Sequence, residues 1–128
     1  MIIGVGTDIV DVARIEKLIE VGGTAFLERW FTPGERAACA QRWRPAAHFA
    51  ARLAAKEAVA KSLRWEWTGP LHWRDIEVVT LPSGAPGVRL AGQMRVLAAA
   101  RAVGVVHVSL SHSQCHATAI AIASTVVV

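Results

Sequence analysis

Three places in this sequence carry side chains of the kind that handle phosphate or metal. Asp8 follows the apolar residues Ile2, Ile3 and Val5 and the two glycines Gly4 and Gly6. A carboxylate at a strand end on a tight turn is a good ligand for a hard cation. The competing role is N-cap of the following helix, for which Asp11 is better placed. Gly4-Val5-Gly6 is not a dinucleotide fingerprint, because the third glycine is missing. Glu57 and Lys61 stand one helical turn apart, and as a surface pair they stabilise by only about 0.2–0.5 kcal/mol. Lys56 falls near the middle of the apolar stripe of the same helix, where an unpaired ammonium is costly. Either that end of the stripe is open to water or an anion sits there. Arg52 and Lys56 repeat the four-residue step, so with Lys61 they could surround a polyphosphate.

Other constellations are weaker. His107, His112, Cys115 and His116 have spacings open to zinc, but no ligand loop or second cluster accompanies them. A histidine beside Ser111 suggests nucleophilic catalysis, yet no acidic partner and no G-x-S-x-G is present. Five tryptophans and a net charge of +4 leave room for a basic nucleic-acid-binding domain. No recognisable nucleic-acid motif supports that, and the basic surplus suits any anionic partner.

The elements that must position these residues can be read in turn. Ile2, Ile3 and Val5 predict a short strand leading into Gly6-Thr7-Asp8. Val12, Ile15 and Ile19 predict a helix from Asp11 to about Val21, stopped by Gly22-Gly23, with Arg14 and Lys17 off its apolar stripe. Thr32-Pro33-Gly34-Glu35 opens a short helix. The longest helix is expected from Pro45 to about Leu63, striped by Phe49, Leu53, Ala60 and Leu63 and otherwise covered by alanines. A strand from Asp75 to Val79, a turn at 83–87, a return strand from Val88 to Leu90 and a helix from Ala91 to Ala102 follow. Val106, Val108 and Leu110 alternate with polar residues, and alanines alternate from Ala117 to Ala123. That makes a hairpin with one small-residue face. The class is α+β. Two separated cysteines and no visible signal peptide favour a reducing, cytoplasmic setting. The uncharged run 102–128 fails as a membrane span, since His107, Ser109, Ser111 and His112 would lie in hydrocarbon.

Ile3-Gly4-Val5-Gly6-Thr7-Asp8-Ile9-Val10 and, about fifty residues on, Arg52-Leu53-Ala54-Ala55-Lys56-Glu57-Ala58-Val59-Ala60-Lys61 together resemble the bacterial holo-acyl-carrier-protein synthases. Phe31-Thr32 with Glu35, Asp75-Ile76-Glu77, Gly84-Ala85-Pro86 and Val108-Ser109-Leu110-Ser111-His112 continue the resemblance over nearly the whole chain. It implies one domain, residues 1–128, with the 4'-phosphopantetheinyl transferase fold: an antiparallel sheet packed with a long helix. For a chain of this length it implies a homotrimer with active sites at subunit interfaces, to which the alanine face of the hairpin and the tail Val126-Val127-Val128 would contribute packing.

The implied activity is transfer of 4'-phosphopantetheine from coenzyme A to a serine of an apo acyl carrier protein, releasing adenosine 3',5'-bisphosphate. The acceptor would serve fatty-acid, polyketide or peptide assembly. Asp8 and Glu57 would hold Mg²⁺, Lys61 would stabilise or protonate the leaving group, and the base would be Glu57 or a metal-bound water. Arg52, Lys56, Lys61, Pro86, Ser111 and His112 would form the coenzyme A pocket, and Arg14 and Lys17 would meet the acidic carrier. Two departures stand out: Leu53 where the family usually has Phe, and Arg64-Trp65-Glu66-Trp67-Thr68-Gly69-Pro70 where it commonly has a glycine-rich turn. The two tryptophans could narrow or cover the pocket. A non-catalytic carrier-binding module is the main rival, against which the intact Asp8, Glu57 and Lys61 set counts.

Overall fold

The computed structural model describes residues 1–67 and 69–126. Strand β1 (Ile2–Asp11) runs into helix α1 (Val12–Trp30), followed by α2 (Pro33–Ala40) and α3 (Pro45–Ser62). A 3₁₀ turn (Trp73–Asp75), the hairpin β2 (Ile76–Thr80) and β3 (Pro86–Leu90), α4 (Gly92–Ala100) and the hairpin β4 (Val105–His112) and β5 (His116–Ser124) complete the described chain. The strands form one antiparallel sheet in the order β1-β5-β4 and a separate antiparallel pair, β2-β3.

Helix α3 is the axis of the core. It is buried nearly all round, which its alanines permit and which a one-faced surface helix would not show. One side lies on β1, β4 and β5, and other sides meet α1, α2 and β2. The alternating alanines of β5, Ala117 to Ala123, are all buried on the α3 side of the sheet. This corrects the expectation that the alanine face packs between subunits: small side chains there let a helix lie close to the sheet. The face turned outward instead carries Val5, Ile9 and Ile120, which are 55%, 66% and 41% exposed. Val127 and Val128 of the tail lie outside the described residues.

The two glycines of β1 have a packing role, not the turn role anticipated for them. A Cβ on Gly4 would stand 2.1 Å from the carbonyl oxygen of Ser62, and one on Gly6 1.9 Å from that of Ala58. Backbone-to-backbone approach of β1 and α3 therefore requires glycine at both positions. The strand does not end at Asp8; it continues to Asp11 in unbroken register with β5, Asp8 opposite Ala119.

Asp11 caps α1, accepting from the Ala13 amide at 3.1 Å. The helix does not stop at Gly22-Gly23 as expected. Gly23 leaves helical geometry (φ 55°, ψ −140°), and the chain then resumes helix as far as Trp30. Only glycine tolerates that conformation cheaply, so the pair marks a break within the helix and not its end. The Thr32–Glu35 capping box of α2 forms as read.

Candidate active site

Asp8 and Glu57 come together where β1 crosses α3. Gly4, Gly6 and Asp8 share one face of the strand, so the close approach allowed by the glycines brings the carboxylate two residues later against the helix. Lys61, one turn beyond Glu57, donates to Asp8 Oδ1 at 3.1 Å and to the carbonyl of Thr7 at 3.0 Å. Thr118 Oγ1 donates to the carbonyl of Asp8 at 3.0 Å and ties that strand position to β5.

Glu57 hydrogen-bonds Asp8, and its pKa is pushed up to about 8. Burial is the largest cause and the Asp8 carboxylate the next, while Lys61 and Arg14 pull the other way. Arg14, at the start of α1, thus lies within electrostatic reach of the site. Lys17 is exposed on the same helix and lies further along it.

Two carboxylates pressed together until one holds its proton are relieved by a divalent cation between them. Both donors are hard oxygens, and two carboxylates completed by phosphate oxygens and water are an ordinary Mg²⁺ set. The residues present therefore fit Mg²⁺. Among the described residues of this chain no group of three or more His, Cys, Asp and Glu could hold a metal, so His107, His112, Cys115 and His116 are not gathered into a zinc site within it.

Lys56 is not part of this site. Its ammonium is fully buried, 2.6 Å from Glu35 Oε1, and donates to the carbonyls of Trp73 at 3.1 Å and Ile76 at 2.5 Å. Three donors meet three acceptors, so the anion foreseen beside Lys56 is Glu35 of the chain itself, and no donor is left for a polyphosphate. Glu35 also accepts from the amides of Thr32 and Val78, and Thr32 donates to Glu77, so the node binds α2, α3 and the β2–β3 hairpin together. Burial lowers the Lys56 pKa from its ordinary value, opposed chiefly by Glu35.

A second basic group forms elsewhere on α3. Arg52 and Glu57 are five residues apart, hence about 140° apart around the helix. Arg52 joins Arg42, His48 and His112: the rings of His48 and His112 are 5.0 Å apart, and burial, then His112, Arg42 and Arg52, depress the His48 pKa. The Arg52 Nε–H is buried without an acceptor. His48 and Arg42 escaped the reading of the sequence; the one signal for His48 was its spacing of four from Arg52. Ser111 and His112 are adjacent in β4 and so point to opposite faces of the sheet. Ser111 pairs with Thr118 in register and lines a small cleft of about 140 Å³ with Thr7 and Thr118. Pro86 opens β3.

The tryptophan loop does not act alone. Trp67 lies 6.0 Å from Trp73, whose ring is 5.0 Å from Trp30, making an aromatic row beside α1. Trp65 is half-buried after α3, and Thr68 lies outside the described residues.

Residues 4–121 match the sequence profile of the 4'-phosphopantetheinyl transferase superfamily. A holo-[acyl-carrier-protein] synthase of Methylobacterium sp. (strain 4-46) is 51% identical over 92 residues, 72% of this chain and 68% of that protein. The fold is similar to the crystal structure of the Neisseria meningitidis holo-[acyl-carrier-protein] synthase, with TM-score 0.87 and 31% identity over 98% of this chain and all of that one. It is also similar to the Helicobacter pylori enzyme solved with coenzyme A, with TM-score 0.81 and 30% identity over 94% of this chain and 99% of that one.

Proposed function

This chain belongs to the 4'-phosphopantetheinyl transferase superfamily, and from that premise we propose that it moves 4'-phosphopantetheine from coenzyme A to a serine of an apo acyl carrier protein. The observation that carries the reading is the meeting of Asp8, Glu57 and Lys61, with Glu57 driven to about 8 by its surroundings. The serine hydroxyl oxygen attacks the β-phosphorus, the bond to the α-phosphate bridging oxygen breaks, and adenosine 3',5'-bisphosphate leaves.

Asp8 and Glu57 would hold Mg²⁺, which when bound supplies neutralisation of the pyrophosphate charge. Glu57, once its carboxyl is ionised, is placed to take the serine proton, directly or through water. Lys61 is held in the resting chain by Asp8 and Thr7. It donates to the departing phosphate, where an ammonium stabilises the growing charge. Alignment of the serine with the pyrophosphate supplies much of the remaining acceleration. Arg14 and Lys17, exposed on α1, receive the acidic carrier.

Arg52 and His112, with Arg42 and His48, take the anionic parts of the coenzyme, and Ser111 and Pro86 line its pocket. Because Arg52 and Glu57 diverge around α3, one chain does not turn both groups toward one ligand. A neighbouring copy completes the pocket, and the outward apolar face of the sheet, with Val5, Ile9 and Ile120, is the contact surface in a homotrimer of single-domain chains (residues 1–128). No helix of the described residues is long and apolar enough to cross a membrane, which suits the cytoplasmic setting proposed here.

The test is intact mass spectrometry of an apo carrier after incubation with the protein, coenzyme A and Mg²⁺, with a chelator control. A metal-dependent gain of about 340 Da, one phosphopantetheine group, is expected from Mg²⁺-assisted phosphoryl transfer. No gain on several carriers, with coenzyme A still bound, would remove the transferase reading.

A further inference from the structure

The break in α1 at Gly23 leaves space that the core does not fill. Residues from both sides of that break, from α2 and from the start of α3 together line an open-sided cleft of about 510 Å³. Ile19, Leu27, Ala40, Ala46 and Phe49 line it, together with Arg36. Alanine at 40 and 46 leaves unoccupied the volume that a Leu or Phe would close. None of Asp8, Arg14, Lys17, Arg52, Glu57 or Lys61 takes part in the lining.

The polar chemistry of the cleft is one-sided. Arg36 Nε is buried and has no acceptor. The nearest paired acid, Glu28, stands 3.9 Å from Nη1, too far for a hydrogen bond. The Nε–H is shielded, so what Arg36 offers a ligand in the cleft is the accessible remainder of a guanidinium whose side chain is 28% exposed, and an anionic group there makes a charge-assisted bond. The cleft's other charged residue, Glu16, is already engaged by Arg44 at 3.1 Å. An apolar trough with one under-engaged guanidinium matches a ligand with an apolar body and one anionic head.

We infer that this cleft is a binding site for a linear aliphatic carboxylate, its chain against Ile19, Leu27 and Phe49 and its head group on Arg36. A chain of about ten carbons occupies on the order of 250 Å³ at the packing density of protein interiors, so it fits with room at the open side. The site stands on the cleft and Arg36 alone and is independent of the transferase reading.

The test is calorimetric titration of the full chain with sodium decanoate, alongside 1-decanol and decyltrimethylammonium at the same concentrations. Saturable one-to-one decanoate binding is expected, with a dissociation constant between about 10 μM and 1 mM. Decanol should bind about tenfold more weakly and the cation not measurably, because each lacks the charge-assisted bond to the guanidinium. Arg36→Gln should weaken decanoate about tenfold. Ala40→Phe, at an exposed position on the rim, should weaken it by a similar factor by filling the cleft, with circular dichroism confirming that both variants fold. Absence of saturation up to millimolar decanoate would overturn the proposal. So would wild-type affinity in both folded variants, or equal binding of the cation. If either variant fails to fold, the comparison of decanoate with the cation on the natural chain still decides.

Discussion

A carboxyl pushed up to about 8 keeps its proton through most of the neutral range, and in this chain that carboxyl is Glu57. Because the folded chain binds the proton more tightly than the unfolded chain, whose carboxyl has the ordinary value of 4.5, the stabilisation is complete below about 4.5. It is lost as pH rises through about 8. Without added metal, the melting temperature should therefore fall between these limits by more in the natural chain than in Glu57→Gln, whose slope is flatter. Added Mg²⁺ should recover stability chiefly at the alkaline end, where it no longer competes with the proton. A melting curve series from pH 5 to pH 9, with and without Mg²⁺, reads both effects; equal slopes in the two proteins would remove Glu57 from the coupled pair. In the transfer assay Glu57→Gln or Asp8→Asn should lower turnover by about a hundredfold or more while the fold survives, as loss of a transition-state charge partner does.

At the scale of elements, the site depends on how close β1 lies to α3. Gly6→Ala places a methyl 1.9 Å from the carbonyl oxygen of Ala58 and 2.9 Å from Cβ of Lys61. Strand and helix must separate, at about 1–3 kcal/mol, and Asp8 moves away from Glu57 with them. Urea unfolding and the transfer assay should fall together, since one displacement causes both. Lys56 acts on a different side of α3. Lys56→Met leaves Glu35 buried without its cation and should cost about 3–5 kcal/mol by denaturation. A Lys56→Met chain that kept its stability but failed to bind coenzyme A would instead restore Lys56 to the ligand site.

At the scale of the whole molecule, the division of charged groups around α3 makes a quantitative demand. If a site takes Asp8 and Glu57 from one chain and Arg52 and His112 from its neighbour, Glu57→Gln and Arg52→Ala chains are each inactive alone. Co-refolded in equal amounts, they should recover about a quarter of the natural turnover, the fraction of random neighbours that combine both intact halves. No recovery in co-refolded oligomers would place the whole pocket within one chain. Glutamate at Ile9, on the outward apolar face, should shift the sedimentation coefficient toward that of a monomer, because a charge would be buried in the contact.

Much of the site was legible in the sequence because it rests on local rules. The four-residue step makes Glu57 and Lys61 neighbours on any helix, and Asp11 and Thr32 cap their helices through backbone groups two or three residues away. Periodicity likewise marked the α3 helix and the β4–β5 hairpin, since side chains alternate or recur by covalent geometry alone. What lay beyond it were contacts between distant segments. Which face of the alanine strand meets α3, and that Gly4 and Gly6 serve close packing, follow from an approach of backbones that no window of sequence contains. Lys56 shows the limit most sharply. Its place on the apolar stripe left either water or an anion beside it, and that the partner is Glu35, twenty-one positions earlier, was decided only when α2 folded against α3, because a buried charge is satisfied by whatever the tertiary structure brings within hydrogen-bonding distance.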